Sequence, residues 1–421
     1  MQSRSTKSVT ILLVGTADTK AEELVFLRNE IEALGQRALI MDVGVLGQPA
    51  VPVDIDHDRV AEAAGMTIAE IAALGEENLA MQHMAKGAAI LAENLCRRGD
   101  IDGVLVIGGT MGTDLGLEVT KALPLGVAKL IVSSISFSHI IPPERVAPDL
   151  MMVLWAGGLW GLNTACCSVL RQAAGAIVGS AIVNPKRIEW AKPAIGISSL
   201  GSSCLKYLGR LKPALEARGY EVVVFHTVGL GGRALESLVE QGRIAAVFDL
   251  SLIEVSNHAL GSPVSAGPTR LEAAGRMKVP QIVAPGAIDS VDLRPGDRDA
   301  IDRASEFYAH NRLIGGALTS AADKVMIADV IAAKLNRCEG RTAFVMPLQG
   351  VNEWDRPGAP MHDPRGLEGF VTTIEAKLKP KIEYRAIDAH INDPAFSDAL
   401  LDIFDRWVAE GAIVAGMQEA A

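Results

Sequence analysis

Two short polar loops in the first half of the chain carry the residue types that bind phosphate groups. The first is G-T-A-D-T-K at 15–20, and the second is G-G-T-M-G-T at 108–113. Glycines let backbone amides approach a ligand closely, and the free amides of a following helix favour an anion. Lys20 adds a positive charge beside the first loop. Neither loop has the Walker spacing or a complete G-x-G-x-x-G motif, so a plain turn is the alternative for each.

The residues before the first predicted helix have two interpretations. Thr16, Asp18 and Thr19 have side chains that can cap the N-terminus of a helix. A carboxylate beside a phosphate-binding loop can instead orient Mg²⁺, which would give Asp18 a role in binding a metal-bound phosphate. The sequence leaves both roles open.

The second half of the chain places polar residues directly after predicted strands, where parallel sheets form binding sites. The candidate catalytic residues are His226, Asp249 and His310, with an imidazole as the acid or base. A further set has the residue types expected to bind a small acidic substrate: Gly231, Gly232, Arg233, Gly267, Arg270, Asp289 and Asn311. In this set Arg233 and Arg270 supply guanidinium groups, which pair well with a carboxylate.

These residues also have structural interpretations. A histidine at a strand end is often only a hydrogen-bonding group, Asp249 could cap a helix, and the G-L-G-G-R segment at 229–233 could be a tight turn. Glu254 and His258 are four residues apart and would share a helix face, as metal ligands can. Because no third ligand can be named from the sequence, we predict no metal site.

The order of apolar runs and helical patterns predicts an α/β protein. The first half reads β-α-β-α-α-β-α-β, and the pattern restarts after N-P-K at 184–186 and K-P at 192–193. We therefore predict domains at 1–184 and 193–421, which are doubly wound, Rossmann-like subdomains with mainly parallel sheets and a cleft between them. Both Gly-rich loops would then lie at the carboxyl edge of the first sheet.

Composition argues against several classes of protein. A formal net charge of −10 and an aromatic content of 4% argue against a nonspecific nucleic-acid binder. Residues 150–183 carry one charge, but glycines and an asparagine interrupt them, so no membrane span is predicted. Five cysteines without a C-x-x-C pair indicate reduced thiols. The N-terminus runs straight into the first strand and leaves no room for a signal peptide, which predicts a cytoplasmic protein.

Six stretches of the sequence together resemble a known family. They are G-T-A-D-T-K (15–20), G-G-T-M-G-T (108–113), V-F-H-T-V-G-L-G-G-R-A (224–234), S-A-G-P-T-R-L (265–271), G-A-I-D (286–289) and H-N (310–311). Over nearly its whole length the chain resembles the N-terminal ATP-binding domain of the tomato mosaic virus resistance protein and the bacterial and fungal proteins similar to it.

This resemblance implies two α/β subdomains, bound ATP and a homodimer. It places ATP on the loops of the first half, at Gly15, Thr16, Asp18, Thr19, Lys20, Gly108, Gly109, Thr110, Gly112 and Thr113. It does not extend to the antiviral role of the plant protein, because the surface that binds a viral protein cannot be matched here.

Three functional hypotheses follow. The first is an ATP-binding metabolic enzyme that uses ATP, with Mg²⁺, on a small acidic substrate in the cleft between the subdomains. The second is a regulatory or interaction module in which ATP only sets the conformation. The third is a metal-dependent lyase or hydrolase acting on a sugar acid, whose phosphate the Gly-rich loops would bind.

Overall fold

The chain separates into two compact units, Met1–Glu189 and Trp190–Ala421. The computed structural model describes residues 8–183, 190–201, 203–294, 296–297 and 307–417. Each unit contains a mainly parallel sheet of its own, so the predicted α/β fold class is confirmed.

The sheet of the first unit has five strands, all of which pair in parallel. Its strands are β1 (Thr10–Gly15), β2 (Arg37–Asp42), β3 (Gly103–Gly108), β4 (Ala128–Ser133) and β5 (Met151–Leu154). They lie in the order β2-β1-β3-β4-β5. Because β1 and β3 are parallel neighbours, the two Gly-rich loops leave the same edge of the sheet.

Helices cover both faces of this sheet, which explains why its strands read as continuous apolar runs. They are α1 (Ala21–Ala33), α2 (His57–Ala64), α3 (Ile68–Ala72), α4 (Glu77–Arg98), α5 (Thr110–Ala122) and α6 (Thr164–Val183). One apolar core joins α2, α4 and α5 to the first face, and a second joins α1 and α6 to the other.

Among the described helices, α6 is long and apolar enough to cross a membrane by length and composition. Its buried side chains, including Leu170 and Ile177, belong to the core that it shares with α1. This packing accounts in part for its apolar character.

The second unit contains two sheets. Its strands are β6 (Ala194–Ser199), β7 (Glu221–His226), β8 (Ile244–Ser251), β9 (Gln281–Gly286), β10 (Ser290–Leu293), β11 (Phe307–Ala309), β12 (Gly315–Leu318), β13 (Thr342–Pro347) and β14 (Glu383–Ile387). Six of them form a parallel sheet in the order β14-β13-β9-β8-β6-β7. The other three form a small antiparallel sheet, β10-β12-β11, which the sequence analysis did not predict, since strands of three or four residues show no clear periodicity.

The helices of the second unit alternate with the strands of its parallel sheet. Those that lie within the described residues are α7 (Leu208–Ala217), α8 (Leu230–Glu240), α9 (Ile253–Ala259), α10 (Ala273–Arg276), α11 (Ala321–Leu335), α12 (Pro364–Lys377) and α13 (Pro394–Ala409). The sequence pattern predicts helices over 319–336 and 394–410, which agree with α11 and α13 to within about two residues, and it does not predict α12.

Candidate functional site

A cavity of about 810 Å³ lies in the first unit at the carboxyl ends of β1 and β3. Both Gly-rich loops line it, together with the segment after β2 and the start of α4. The structure thereby brings together nine of the ten predicted cofactor-binding residues: Gly15, Thr16, Asp18, Thr19, Lys20, Gly108, Gly109, Thr110 and Gly112. This edge of a parallel sheet is where such folds bind their ligands.

The N-terminus of α5 adjoins the cavity, and no side chain caps it. Gly109 is the N-cap residue, and the first turn of the helix carries no acidic side chain. The amide of Thr113 is the first to bond to the backbone, at 2.8 Å from the carbonyl oxygen of Gly109. The preceding amides have no acceptor within the helix, so this end favours an anion.

The N-terminus of α1 has a different electrostatic environment. Its first turn contains Glu22 and Glu23, and the buried carboxylate of Glu23 accepts the N–H of Gly161 at 3.0 Å. The hydroxyls of Thr16 and Thr19 bond to each other at 2.6 Å. Of the two interpretations that the sequence left open for this loop, capping is not observed, because the structure shows no side-chain cap at this helix.

Lys20 lies between the cavity and the exposed ring of Trp160. Its Nζ is 5.8 Å from the centroid of that ring and 3.4 Å from the carbonyl oxygen of Thr19. An exposed cation–π contact of this kind is weak, at about 0.5–1 kcal/mol. The ammonium group is therefore available for a stronger partner in the cavity.

Asp42, which the sequence analysis did not single out, connects the segments around the cavity. Its buried Oδ1 accepts the N–H groups of Ala17, at 2.8 Å, and Gly44, at 2.9 Å. Its Oδ2 lies 3.5 Å from Nδ1 of the buried His57. The only signal in the sequence was an acidic residue at the end of an apolar strand.

We expect Asp42→Asn to lower the free energy of unfolding by about 1–2 kcal/mol, because an amide oxygen accepts hydrogen bonds less strongly than a carboxylate. Urea titration followed by circular dichroism measures the change. Asp100→Asn, which alters an exposed carboxylate of the same unit, is the matched control. Equal stabilities of the two variants would contradict this role of Asp42.

The carboxylate of Asp18 has an oxygen without a protein partner. Its Oδ1 is buried and forms no hydrogen bond with the described residues. Its Oδ2 packs against the segment after β2: a Cβ atom added to Gly47 would lie only 2.5 Å from this Oδ2. An orphaned oxygen in the wall of a cavity is a position for a cation or a hydrogen-bond donor.

Two features of the second loop have structural roles. Thr113 is fully buried, and its hydroxyl bonds to the carbonyl oxygen of Gly109 at 2.7 Å and to the Ser133 hydroxyl at 2.6 Å. It therefore braces the loop and does not line the cavity, in contrast to the prediction. A Cβ atom on Gly108 would lie 2.5 Å from Cα of Gly112, so the tight turn itself requires glycine there.

In the second unit, the side chain of Glu254 binds the N-terminus of α8. Oε1 of Glu254 accepts the N–H groups of Gly229, at 2.7 Å, and Gly232, at 3.1 Å. A Cβ atom on Gly232 would lie 1.7 Å from Oε2 of Glu254, and one on Gly231 would lie 1.8 Å from the His226 carbonyl oxygen. Gly231 and Gly232 thus permit close packing, and Glu254 fills the anion position predicted for a substrate.

Arg270 is fully buried among three carboxylates. Its Nε donates to Glu254 at 2.8 Å, its Nη2 donates to Asp249 at 2.7 Å, and its Nη1 lies 3.5 Å from Glu236. Asp249 also accepts the hydroxyl of Ser198 at 2.7 Å. The structure therefore corrects the roles expected of Arg270 in substrate binding and of Asp249 in catalysis, because both side chains are enclosed by protein partners.

Three other substrate candidates also have partners within the protein. The buried Arg233 donates from Nη1 to the Thr269 hydroxyl at 2.9 Å. Gly267 has a φ of +84°, which favours glycine, and it lies in a turn. The Asn311 Oδ1 accepts the N–H of Leu313 at 2.7 Å and so stabilises its own loop.

His226 and His310 are both exposed, and both lie near Asp292. Burial raises the pKa of Asp292, while its hydrogen bond to Asn257 and the charges of the two imidazoles lower it. The two candidate acid–base histidines therefore lie near one carboxyl group, although they come from separate segments. Their catalytic role remains a prediction.

No group of three or more His, Cys, Asp or Glu side chains that could hold a metal ion occurs among the described residues. Glu254 is bound by Arg270 and by the turn before α8, so the Glu254–His258 pair does not form a metal site. His258 Nδ1 instead lies 3.1 Å from the Ser265 hydroxyl.

Asp289 differs from the other substrate candidates because it lines a cavity, of about 90 Å³, at the carboxyl ends of β9 and β13. Its Oδ1 accepts a hydrogen bond from the Asn352 amide at 3.0 Å. Its Oδ2 is buried and has no partner among the described residues.

The fold and the larger cavity define a two-unit α/β protein with a candidate anion site at the sheet edge of its first unit. Two family models match the chain: Uncharacterised protein family (UPF0261) N-terminal domain, over residues 9–186, and Uncharacterised protein family (UPF0261) C-terminal domain, over residues 192–408. The chain belongs to the UPF0261 family.

Individual relatives agree with this assignment. A UPF0261 protein of Brucella melitensis is 48% identical over 415 residues, which cover 98% of each chain. The ToMV resistance protein Tm-1(GCR237) of Solanum lycopersicum is 26% identical over 430 residues, which cover 96% of this chain and 56% of that protein. These matches confirm the resemblance found in the sequence.

The chain is distantly similar to a solved structure. UDP-GlcNAc 2-epimerase from Neisseria meningitidis, in complex with UDP-GlcNAc, is 11% identical, with a TM-score of 0.24 over 70% of this chain and 85% of that chain. A similarity of this size carries no information about the ligand of this chain.

Proposed function

We propose that the first unit binds ATP together with Mg²⁺. The observation that carries this proposal is the cavity of about 810 Å³ into which both Gly-rich loops open. Such a volume falls in the range of about 300–1,000 Å³ that is typical of ligand pockets. The resemblance of the loops to those of an ATP-binding domain supports the choice of nucleotide.

The phosphates would bind at the N-terminus of α5, with Lys20 as the neighbouring cation. That helix end has neither a capping side chain nor an acidic first turn, whereas α1 has Glu22 and Glu23 in its first turn. Val45 and Met81 line the same cavity and offer apolar surface to the base. The proposed orientation therefore separates a polar end for phosphate from an apolar end for adenine.

The charges of the cavity support a role for Mg²⁺. Its lining carries the carboxylates of Asp18, Glu76 and Glu77, whereas Lys20 is the one cationic side chain among the described residues there. These carboxylates would repel a bare triphosphate. Magnesium commonly binds through one or two carboxylates together with phosphate oxygens, and the orphaned Oδ1 of Asp18 suits that position. The ion would neutralise phosphate charge.

ATP in this cavity could be consumed in a reaction or could set the conformation of a regulatory module. A reaction of ATP with an acidic substrate gains no support from the side chains expected to bind that substrate. Arg233 and Arg270 are buried and bonded to other residues of the protein. Measuring ATP turnover with and without small organic acids separates the two uses.

We expect Lys20→Ala to weaken the binding of Mg²⁺–ATP by about 1–3 kcal/mol, which is the range for a hydrogen bond to a charged group. Isothermal titration of the full chain with ATP, ADP, AMP and inorganic phosphate measures the change. Lys86→Ala removes an exposed lysine of α4 and is the matched control. Phosphate binding without nucleotide binding would instead favour a phosphorylated metabolite, and equal ATP affinities of both variants would remove Lys20 from the site.

A further inference from the structure

The 90 Å³ cavity of the second unit contains a buried acceptor that the protein leaves unused. Asp289 is 3% exposed and lines this cavity, and its Oδ2 has no hydrogen-bond partner among the described residues. The amide of Asn352 fixes the carboxyl group by bonding to Oδ1 at 3.0 Å. An unsatisfied buried oxygen is costly, so a ligand that donates a hydrogen bond would be favoured.

A second carboxylate that lines the cavity, Asp355, is bound by two backbone amides and an imidazole. Oδ2 of Asp355 accepts the N–H groups of Val351, at 2.6 Å, and Asn352, at 3.2 Å, and Oδ1 lies 3.0 Å from Nε2 of His390. Nδ1 of His390 accepts the N–H of Asn392 at 3.1 Å, so the proton of a neutral ring lies on Nε2. The negative charge of Asp355 therefore remains near Asp289.

A buried cation lines the same cavity. Lys324 is 4% exposed, and its Nζ donates to Asp363 at 2.6 Å and to the carbonyl oxygen of Thr319 at 3.4 Å. An ammonium group has three hydrogens, so one further donor remains for a ligand.

We propose that this cavity binds the uncharged hydroxyl end of a small polar metabolite, whose O–H donates to Oδ2 of Asp289. A ligand carboxylate would be repelled by Asp289 and Asp355. A ligand ammonium group has no acceptor for a hydrogen bond from Nζ of Lys324. A hydroxyl is neutral, and it can donate to the carboxyl group while it accepts from an ammonium group. Ile288, Met361 and Leu367 supply apolar walls for the carbon atoms.

Protonation of Asp289 makes this binding depend on pH. Burial, followed by the charge of Asp355, raises the pKa of Asp289 to about 7. The titratable groups around it are Cys204, Lys324, Asp355, His362, Asp363 and His390. Because the ionised carboxylate is the stronger acceptor, affinity for an alcohol rises as the pH increases through about 7.

The test uses three probes of similar size, namely ethanol, acetate and ethylammonium. They are titrated into methyl-labelled full-length protein, and the methyl signals of Met361 and Leu367 report occupancy of the cavity. Ethanol is expected to shift these signals and to bind at least about threefold more tightly at pH 8.5 than at pH 6.0. Acetate and ethylammonium are expected to bind more weakly than ethanol.

Two variants and one control complete the experiment. Asp289→Asn is expected to remove the pH dependence, and Leu367→Phe is expected to block the cavity while it keeps the hydrogen bond between Asn352 and Asp289. Asp402→Asn, at an exposed carboxylate of the same unit, is expected to behave as the wild type. The proposal is overturned if ethanol does not shift the two methyl signals, if a charged probe binds more tightly than ethanol, or if the pH dependence persists in Asp289→Asn.

Discussion

Replacing Gly109 by Asp is expected to reduce the binding of Mg²⁺–ATP at least about a hundredfold without destabilising the fold. Gly109 is the N-cap residue of α5, and its φ of −77° lies outside the left-handed region that favours glycine. A Cβ atom there would meet only the Ser134 hydroxyl oxygen, at 3.8 Å. The new carboxylate would cap the free amides of α5 and occupy the position proposed for a phosphate group.

The same substitution should leave the stability of the first unit nearly unchanged, since an aspartate at an N-cap exceeds a glycine there by only about a few tenths of a kcal/mol. Titration calorimetry measures the affinity and urea unfolding measures the stability. Gly109→Ala adds the Cβ atom without the charge, and we expect it to bind ATP within a few-fold of the wild type. Undiminished ATP binding in Gly109→Asp would show that the phosphates do not bind at α5.

Arg270→Met is expected to lower the free energy of unfolding of the second unit by about 3–5 kcal/mol. The substitution preserves much of the side-chain volume but leaves the carboxylates of Glu236, Asp249 and Glu254 buried without their common cation. Like charges in a dry environment repel strongly, and no water can replace the lost partner.

The pH dependence of this loss has a definite sign. Burial already raises the pKa values of Glu236 and Glu254, and the charge of Arg270 opposes that rise. Without Arg270 these carboxyl groups take up protons more readily, so the destabilisation should be larger at pH 8 than at pH 6. Urea unfolding at both pH values measures it. Arg276→Met breaks a half-exposed pair with Glu240 and serves as the control; a similar small loss in both variants would contradict the proposed role of the network.

The position of the larger cavity could be predicted because its determinants are local in the sequence. The apolar runs of β1 and β3, each followed by glycines and a helical pattern, indicate β-loop-α units. Once the sheet is parallel, the two loops must leave its carboxyl edge, and the structure places residues 15–20 and 108–112 around one cavity.

The arrangement in the second unit could not be predicted because it depends on contacts between distant segments. The sequence shows that Arg270 and Gly232 have suitable types for binding an anion, but it does not show that Glu254 supplies that anion. Asp42 was missed for the same reason, since its partners are backbone amides of other segments and have no side-chain signal.

Hydrogen–deuterium exchange of the full chain, with and without Mg²⁺–ATP, tests the central claim most directly. The account predicts slower exchange at the amides of residues 109–112, because phosphate oxygens would accept hydrogen bonds from them. It also predicts slower exchange at residues 16–20, because the bound phosphates would order that loop. The amides of Gly229 and Gly232, which Glu254 already binds, should not change. Protection confined to the second unit, or no protection at residues 109–112 at a saturating ATP concentration, would contradict a nucleotide site in the first unit.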